Sequence, residues 1–211
     1  TDDIFSRFLS QGASTVTRGA KPMSSLCQGV YYVYARDTDG VMVEVEHLDK
    51  SPFESPIWFA HVALVSPDID RIVKFYETLL GKPPARKSNS VAGPTFDDVA
   101  DYDDVKIRAA WFDLSNMTLE IWQFLNPVTP QPDVPTAFEK VGYNKVAFEV
   151  SDIQNEYRRL KEIGVPFLSA PVQGHESTEV YGRDPDGNLF SLIEFEPGSS
   201  QSINALETKK W

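Results

Sequence analysis

The chain has 211 residues, 41% of them hydrophobic and 24% charged, the balance of a folded protein long enough to bury a substantial core. Its net charge of -11 and pI near 4.7 exclude a nucleic-acid partner, because affinity for a phosphate backbone comes from clustered Lys and Arg. No apolar stretch approaches the roughly 18 residues of a bilayer span and no signal peptide opens the chain, so a cytoplasmic protein without a membrane partner is expected.

The chain opens inside a helix, since Ile4, Phe5, Phe8 and Leu9 recur at helical spacing before a stop at Gly12. It starts at Thr1 without an initiator Met, so upstream sequence is expected to supply a missing first strand and cover an unpaired sheet edge. A second chain is the alternative source of that strand. Cys27, the lone cysteine, can form no internal disulfide and is expected to pack as a small hydrophobe. Arg36-Asp37-Thr38-Asp39-Gly40 is a charged tight turn feeding an apolar strand that carries Glu44, Glu46 and His47. On that strand Glu44 and Glu46 share a face and His47 points the other way, toward the surface.

A strand is predicted over 58–65, followed by a helix capped by Asp68, with Ile72, Val73, Tyr76, Leu79 and Leu80 on one face and a stop at Gly81. The segment 83–104 is irregular and reads as a solvated loop. Its Asp97, Asp98, Asp101, Asp103 and Asp104 lack the alternating ligands, central Gly and terminal Glu of an EF-hand. Strands follow over 107–114 and 117–124, and Asn116-Met117-Thr118, formally a glycosylation acceptor, reads as the turn between them. After a Pro-rich linker come a strand over 144–150, a helix carrying Ile153, Tyr157, Leu160 and Ile163, a stop at Gly164, and strands near 178–182 and 188–196. His175, in the Gly-rich connection before these last strands, reads as an exposed loop residue.

These elements repeat. Arg183-Asp184-Pro185-Asp186-Gly187 restates the turn at Arg36, and Lys145-Val146-Ala147-Phe148 restates His61-Val62-Ala63-Leu64 as a strand leading through Ser and Asp into a helix. The fold class is therefore α+β, built from a unit of strand, helix and three strands, with the first copy lacking its first strand. The copies span 1–50, 58–125 and 143–197, separated by linkers 51–57 and 126–142 and followed by a tail, 198–211.

The Asp-Pro-Asp-Gly-Asn turn at 184–188, its relative at 37–40, the His-Val-Ala-Leu start at 61 and the Leu119-Glu120 pair resemble the vicinal oxygen chelate superfamily. That superfamily includes glyoxalase I, methylmalonyl-CoA epimerase, extradiol dioxygenases and bleomycin resistance proteins. The resemblance implies βαβββ modules whose sheets curl into cups, each active module offering a metal ligand on its first strand and a carboxylate on its fourth. By that pattern His61 and Glu120 are the ligands of copy two, and Glu44 is the fourth-strand carboxylate of copy one. Copy three departs from the pattern with Lys145 and Ser191, a cation and a poor donor for a divalent ion. These two are expected, with Trp111 and Trp122, to line a substrate pocket, to which Phe112 and Tyr181 are further candidates.

Linker spacing favours pairing copies two and three in one cup, whereas completeness of the ligand set favours one with two, and the second arrangement is expected. One imidazole and two carboxylates suit Zn, Mn, Fe, Co or Ni. The implied activity is a metal-dependent lyase, isomerase or epimerase acting on a small oxygenated substrate, with Glu120 or Glu44 moving the proton. An extradiol-type dioxygenase and a metal-free sequestering protein are the alternatives. A homodimer or an upstream module of the same chain is the expected macromolecular partner.

Overall fold

The computed structural model describes residues 2–21, 23–24, 29–49, 57–132, 135 and 137–205. Cys27 and the Pro-rich segment 51–56 lie outside the described residues. The first module holds helix α1 (Asp2–Ser10) and strands β1 (Ser14–Thr15), β2 (Met23–Ser24), β3 (Val30–Arg36) and β4 (Met42–Leu48). The second holds β5 (His61–Val65), α2 (Ile69–Leu80), β6 (Arg86–Ala92), α3 (Pro94–Ala100), β7 (Lys106–Asp113) and β8 (Thr118–Asn126). The third holds β9 (Lys145–Glu149), α4 (Ile153–Glu162), β10 (Val172–Gln173), β11 (Ser177–Arg183) and β12 (Leu189–Phe195).

Sheet order makes the repeat explicit. The second sheet runs β5-β8-β7-β6 and the third β9-β12-β11-β10, each with its first strand parallel to its last. The register agrees residue for residue, since Ala63 pairs with Glu120 as Ala147 pairs with Ser191. In the first sheet β3 pairs antiparallel with β4 along its length and with the short β1 and β2. Among the described residues β4 has no parallel neighbour where β8 has β5 and β12 has β9. The α+β class and the repeated βαβββ architecture expected from the sequence are both present.

Two segments differ from the sequence reading. β5 starts at His61 rather than at residue 58, because its partner β8 begins at Thr118, which pairs with His61. The supposed loop 83–104 contains β6 and α3. β6 carries Arg86, Lys87, Ser88, Asn89 and Ser90, and as an edge strand it needs no apolar alternation to be stable. α3 is short, with Pro94 in its first turn, and is anchored by Phe96 and Val99. Its acidic neighbourhood is occupied by the protein itself: Arg18 meets Asp101 at 2.9 Å, Asp103 at 2.8 Å and Asp98 at 3.7 Å. Asp97 accepts the Val105 N–H at 2.8 Å. With the Thr17 hydroxyl bonded to the Val99 carbonyl at 3.0 Å, these contacts fix the first module against α3.

One core joins the second and third modules. The buried faces of α2 (Ile72, Val73, Tyr76) and α4 (Ile153, Leu160) pack with Phe112, Leu119 and Ile121 of the second sheet and Val180, Phe190 and Leu192 of the third. Strand alternation sends Phe112 into this core and its neighbours Trp111 and Trp122 to the opposite face, beside Phe96 and Ile107.

The acidic turn after β11 is welded to α2. Asp184 accepts from the backbone N–H of Asp186 (3.0 Å) and Asn188 (2.9 Å), from the Asn188 side chain (2.9 Å) and from the buried Tyr76 hydroxyl (3.1 Å). Asp184→Ala should therefore cost about 3 kcal/mol in a urea unfolding curve, since it orphans several donors at once. Asp186, whose carboxylate meets the half-exposed Arg71, should cost about 1 kcal/mol when replaced by Ala. Equal and small losses at both positions would contradict the welded turn.

Candidate functional site

β5 presents His61 at its first residue. β8 presents Glu120 two residues beyond His61's partner Thr118, and therefore on the same sheet face. From the first sheet, β4 presents Glu44 and Glu46 on one face. The two sheets bring these side chains together. His61 Nε2 lies 3.4 Å from Glu44 Oε2 and 3.7 Å from Glu120 Oε2, and its Nδ1 lies 3.9 Å from Glu46 Oε2. Glu120 is the most enclosed, with 9% of its side chain exposed against 32% for Glu46.

This geometry perturbs the groups that face these carboxylates. Burial works to lower the His61 pKa, but the hydrogen bond and charge of Glu44 and the charges of Glu120 and Glu46 together overcome it, pushing His61 up to about 9. Glu120 is raised by burial, against the pull of His61 and of the Trp122 and Trp111 indoles. Glu46 is raised by burial and by repulsion from Glu44. Burial and the Glu44 charge push Tyr32 up to about 12 and Tyr34 well above its ordinary range, so both phenols stay protonated.

In the metal-free protein, the His61 contribution to stability is complete below pH 6.5, the ordinary histidine value, and is lost as pH rises through about 9. Glu46 and Glu120, also raised, act in the same direction from pH 4.5 upward. The unfolding free energy should thus fall between pH 6.5 and 9 by on the order of 3 kcal/mol, because each tenfold gain in proton affinity on folding is worth about 1.4 kcal/mol. His61→Gln should flatten that decline. A wild-type curve already flat across the window would contradict the cluster.

Trp111 donates its indole N–H to Glu120 Oε1, and the Arg86 guanidinium sits 4.8 Å above the Trp111 ring. Trp122 shares the Glu120 face of β8 and stacks edge-on with Phe96. Lys145 and Ser191 are on the third sheet, away from His61. Lys145 Nζ meets Glu179 Oε1 at 2.7 Å and the Tyr181 hydroxyl at 2.9 Å, while the buried Ser191 hydroxyl lies beside Glu179 without closing a well-formed hydrogen bond. Lys145 and Glu179 line a cavity of about 880 Å³ that includes Met117, Phe148 and Leu192 and none of the His61 cluster. His47 and His175 are exposed, with 42% and 95% of their side chains accessible.

Tyr32 and Tyr34 are absent from the sequence reading. A signal for them exists: counting outward from the turn at 37–40 pairs Tyr34 with Glu44 and Tyr32 with Glu46. Among the described residues no set of three or more His, Cys, Asp or Glu is closed tightly enough to hold a metal ion as it stands, and no helix is long and apolar enough to cross a membrane.

Residues 58–192 match the Glyoxalase/Bleomycin resistance protein/Dioxygenase superfamily, well over half of the chain. The chain belongs to this superfamily, the vicinal oxygen chelate group that its motifs resemble. Among solved structures it is similar to a glyoxalase family protein from Bacillus cereus, with a TM-score of 0.60 and 23% identity over 68% of this chain and 97% of that one. It is also similar to glyoxalase I from Zea mays, with a TM-score of 0.58 and 25% identity over 88% of this chain and 60% of the maize protein. The uncharacterized protein YurT of Bacillus subtilis (strain 168) is 42% identical over 53 residues, 25% of this chain. The chain spans about two fifths of the length of the curated relatives it matches.

Proposed function

We propose that this protein is a metal-dependent lyase, isomerase or epimerase of the vicinal oxygen chelate type, with His61, Glu44 and Glu120 holding a divalent transition metal. The observation that carries this reading is the convergence of one imidazole and two carboxylates, from two different sheets, into a mostly buried cluster. Negative charge gathered in such a place calls for a cation, and protonated His61 supplies only part of it. The donor set suits Zn, Mn, Fe, Co or Ni. The spacings from His61 to Glu44 and Glu120, 3.4 and 3.7 Å, are near the roughly 3.4 Å between adjacent ligands of a tetrahedral ion with bonds of about 2.1 Å.

The bound ion would supply Lewis acidity, polarising the substrate's oxygens and acidifying the neighbouring C–H. The chain supplies the rest. Glu120 or Glu44 accepts the proton from carbon and returns it to the adjacent atom or the opposite face. The raised pKa of Glu120 moves it toward the range in which a carboxylate is a useful base. The protonated Tyr32 and Tyr34 phenols offer donors to substrate oxygens, and Trp111 and Trp122 keep one wall of the cup dry. Metal-loaded protein mixed with hydroxyacetone in D₂O should exchange the C–H beside the carbonyl faster than metal-free protein, as followed by proton NMR. Metal uptake without exchange of this or other vicinal dioxygen compounds would argue for a binding role instead.

A further inference from the structure

The position directly across the ladder from each module's fourth-strand acid site is occupied by an aromatic residue with a hydrogen-bond donor. Tyr34 pairs with Glu44, Trp111 with Glu120 and Tyr181 with Ser191. In the second module the donor is spent on the acid opposite, the Trp111 indole N–H bonding Glu120 Oε1. In the third, where the acid is replaced by Ser191, the Tyr181 hydroxyl turns to Glu179 Oε2 at 2.9 Å instead. In the second and third modules the aromatic donor is thus spent on a carboxylate, the opposite one or another.

We infer that Trp111 is a positioning residue, holding its cross-strand carboxylate Glu120 by one oxygen so that the other is presented to His61. The atoms are disposed accordingly. Glu120 uses Oε1 for Trp111 and turns Oε2 toward His61 Nε2. A carboxylate fixed by one oxygen has lost most of its rotamer freedom before any ligand arrives, and the donor also fixes which lone pairs face the cup. Trp111 is itself held, by packing against the Phe96 and Ile107 cluster and by the Arg86 guanidinium on its outer face. Glu44 and Glu46 have no such donor among the described hydrogen bonds and are more exposed than Glu120, which separates them from the held one.

This inference rests on the metal-binding reading above, and its test distinguishes the two. Metal-free wild type, Trp111→Phe and Trp111→Tyr are titrated with Co²⁺ against a chromophoric competitor, recording the visible spectrum of the bound ion. Trp111→Phe removes the donor and keeps a ring, and should weaken Co²⁺ binding by roughly 10- to 100-fold with an altered spectrum and a nearly unchanged thermal midpoint of the metal-free protein. Trp111→Tyr installs the residue type that the other modules carry and should recover most of the loss. In the metal-free protein, the indole N–H resonance that vanishes in Trp111→Phe should lie downfield, exchange slowly and move in Glu120→Ala. Wild-type affinity and spectrum in Trp111→Phe, or an indole resonance indifferent to Glu120→Ala, would overturn the positioning role while leaving the metal site standing. Wild type that takes up no Co²⁺ would overturn both.

Discussion

His61→Ala should abolish stoichiometric binding of a divalent transition metal. Structural zinc sites bind by roughly 10–16 kcal/mol over four ligands, so one ligand is worth about 3 kcal/mol and its loss on the order of 100-fold in affinity. The loss here should be at the upper end, because His61 supplies the nitrogen that borderline metals prefer, between carboxylates at 3.4 and 3.7 Å. Binding must also displace the His61 proton, so wild-type affinity should rise with pH, by up to about tenfold for each step of one in pH, until it levels off above about 9. Competition titration at several pH values checks both statements. Full occupancy in His61→Ala, or an affinity indifferent to pH between about 6 and 9, would count against the site.

Glu44→Gln should weaken metal binding or turnover by on the order of 100-fold, while Lys145→Ala and Ser191→Ala leave both within a few fold. The substitution keeps size and polarity and removes only charge, so a loss would be electrostatic rather than a packing failure. Glu44 comes from the first sheet and His61 and Glu120 from the second, so the result reports whether the working cup is shared by those two modules. Lys145 is committed to Glu179 and Tyr181 on the third sheet. A silent Glu44→Gln with a damaging Lys145→Ala would move the chemistry to the third module and toward anion recognition without metal.

The parts of the fold legible in the sequence are those written in local periodicity and turn chemistry. The paired turns at 37–40 and 184–187 set the register of their hairpins, and counting from them puts Glu44 and Ser191 at equivalent places. The α2 and α4 faces are legible because a buried helix stripe has its own period. β6 is illegible because an edge strand of Arg, Lys, Ser and Asn carries no apolar alternation, and α3 because two anchors in seven residues are too few for a pattern. The facing of the first sheet onto the second rests on Arg18 among three aspartates and on Thr17 against Val99, contacts spanning some eighty residues that no local rule encodes. Tyr34 is hidden for a related reason, since an aromatic residue on a central strand reads as core until its cross-strand partner is known to be a carboxylate, and Trp111, legible as a pocket residue, hides its bond to Glu120 in the same way.

The position of a bound ion decides the central claim. Crystals of the protein grown with Co²⁺ should give, at the cobalt absorption edge, one strong anomalous peak between the first and second sheets, within bonding distance of His61 Nε2 and of carboxylate oxygens of Glu44 and Glu120. A cup with no peak in protein that is otherwise well ordered, or a peak beside Glu179 and Tyr181 on the third sheet, would contradict it.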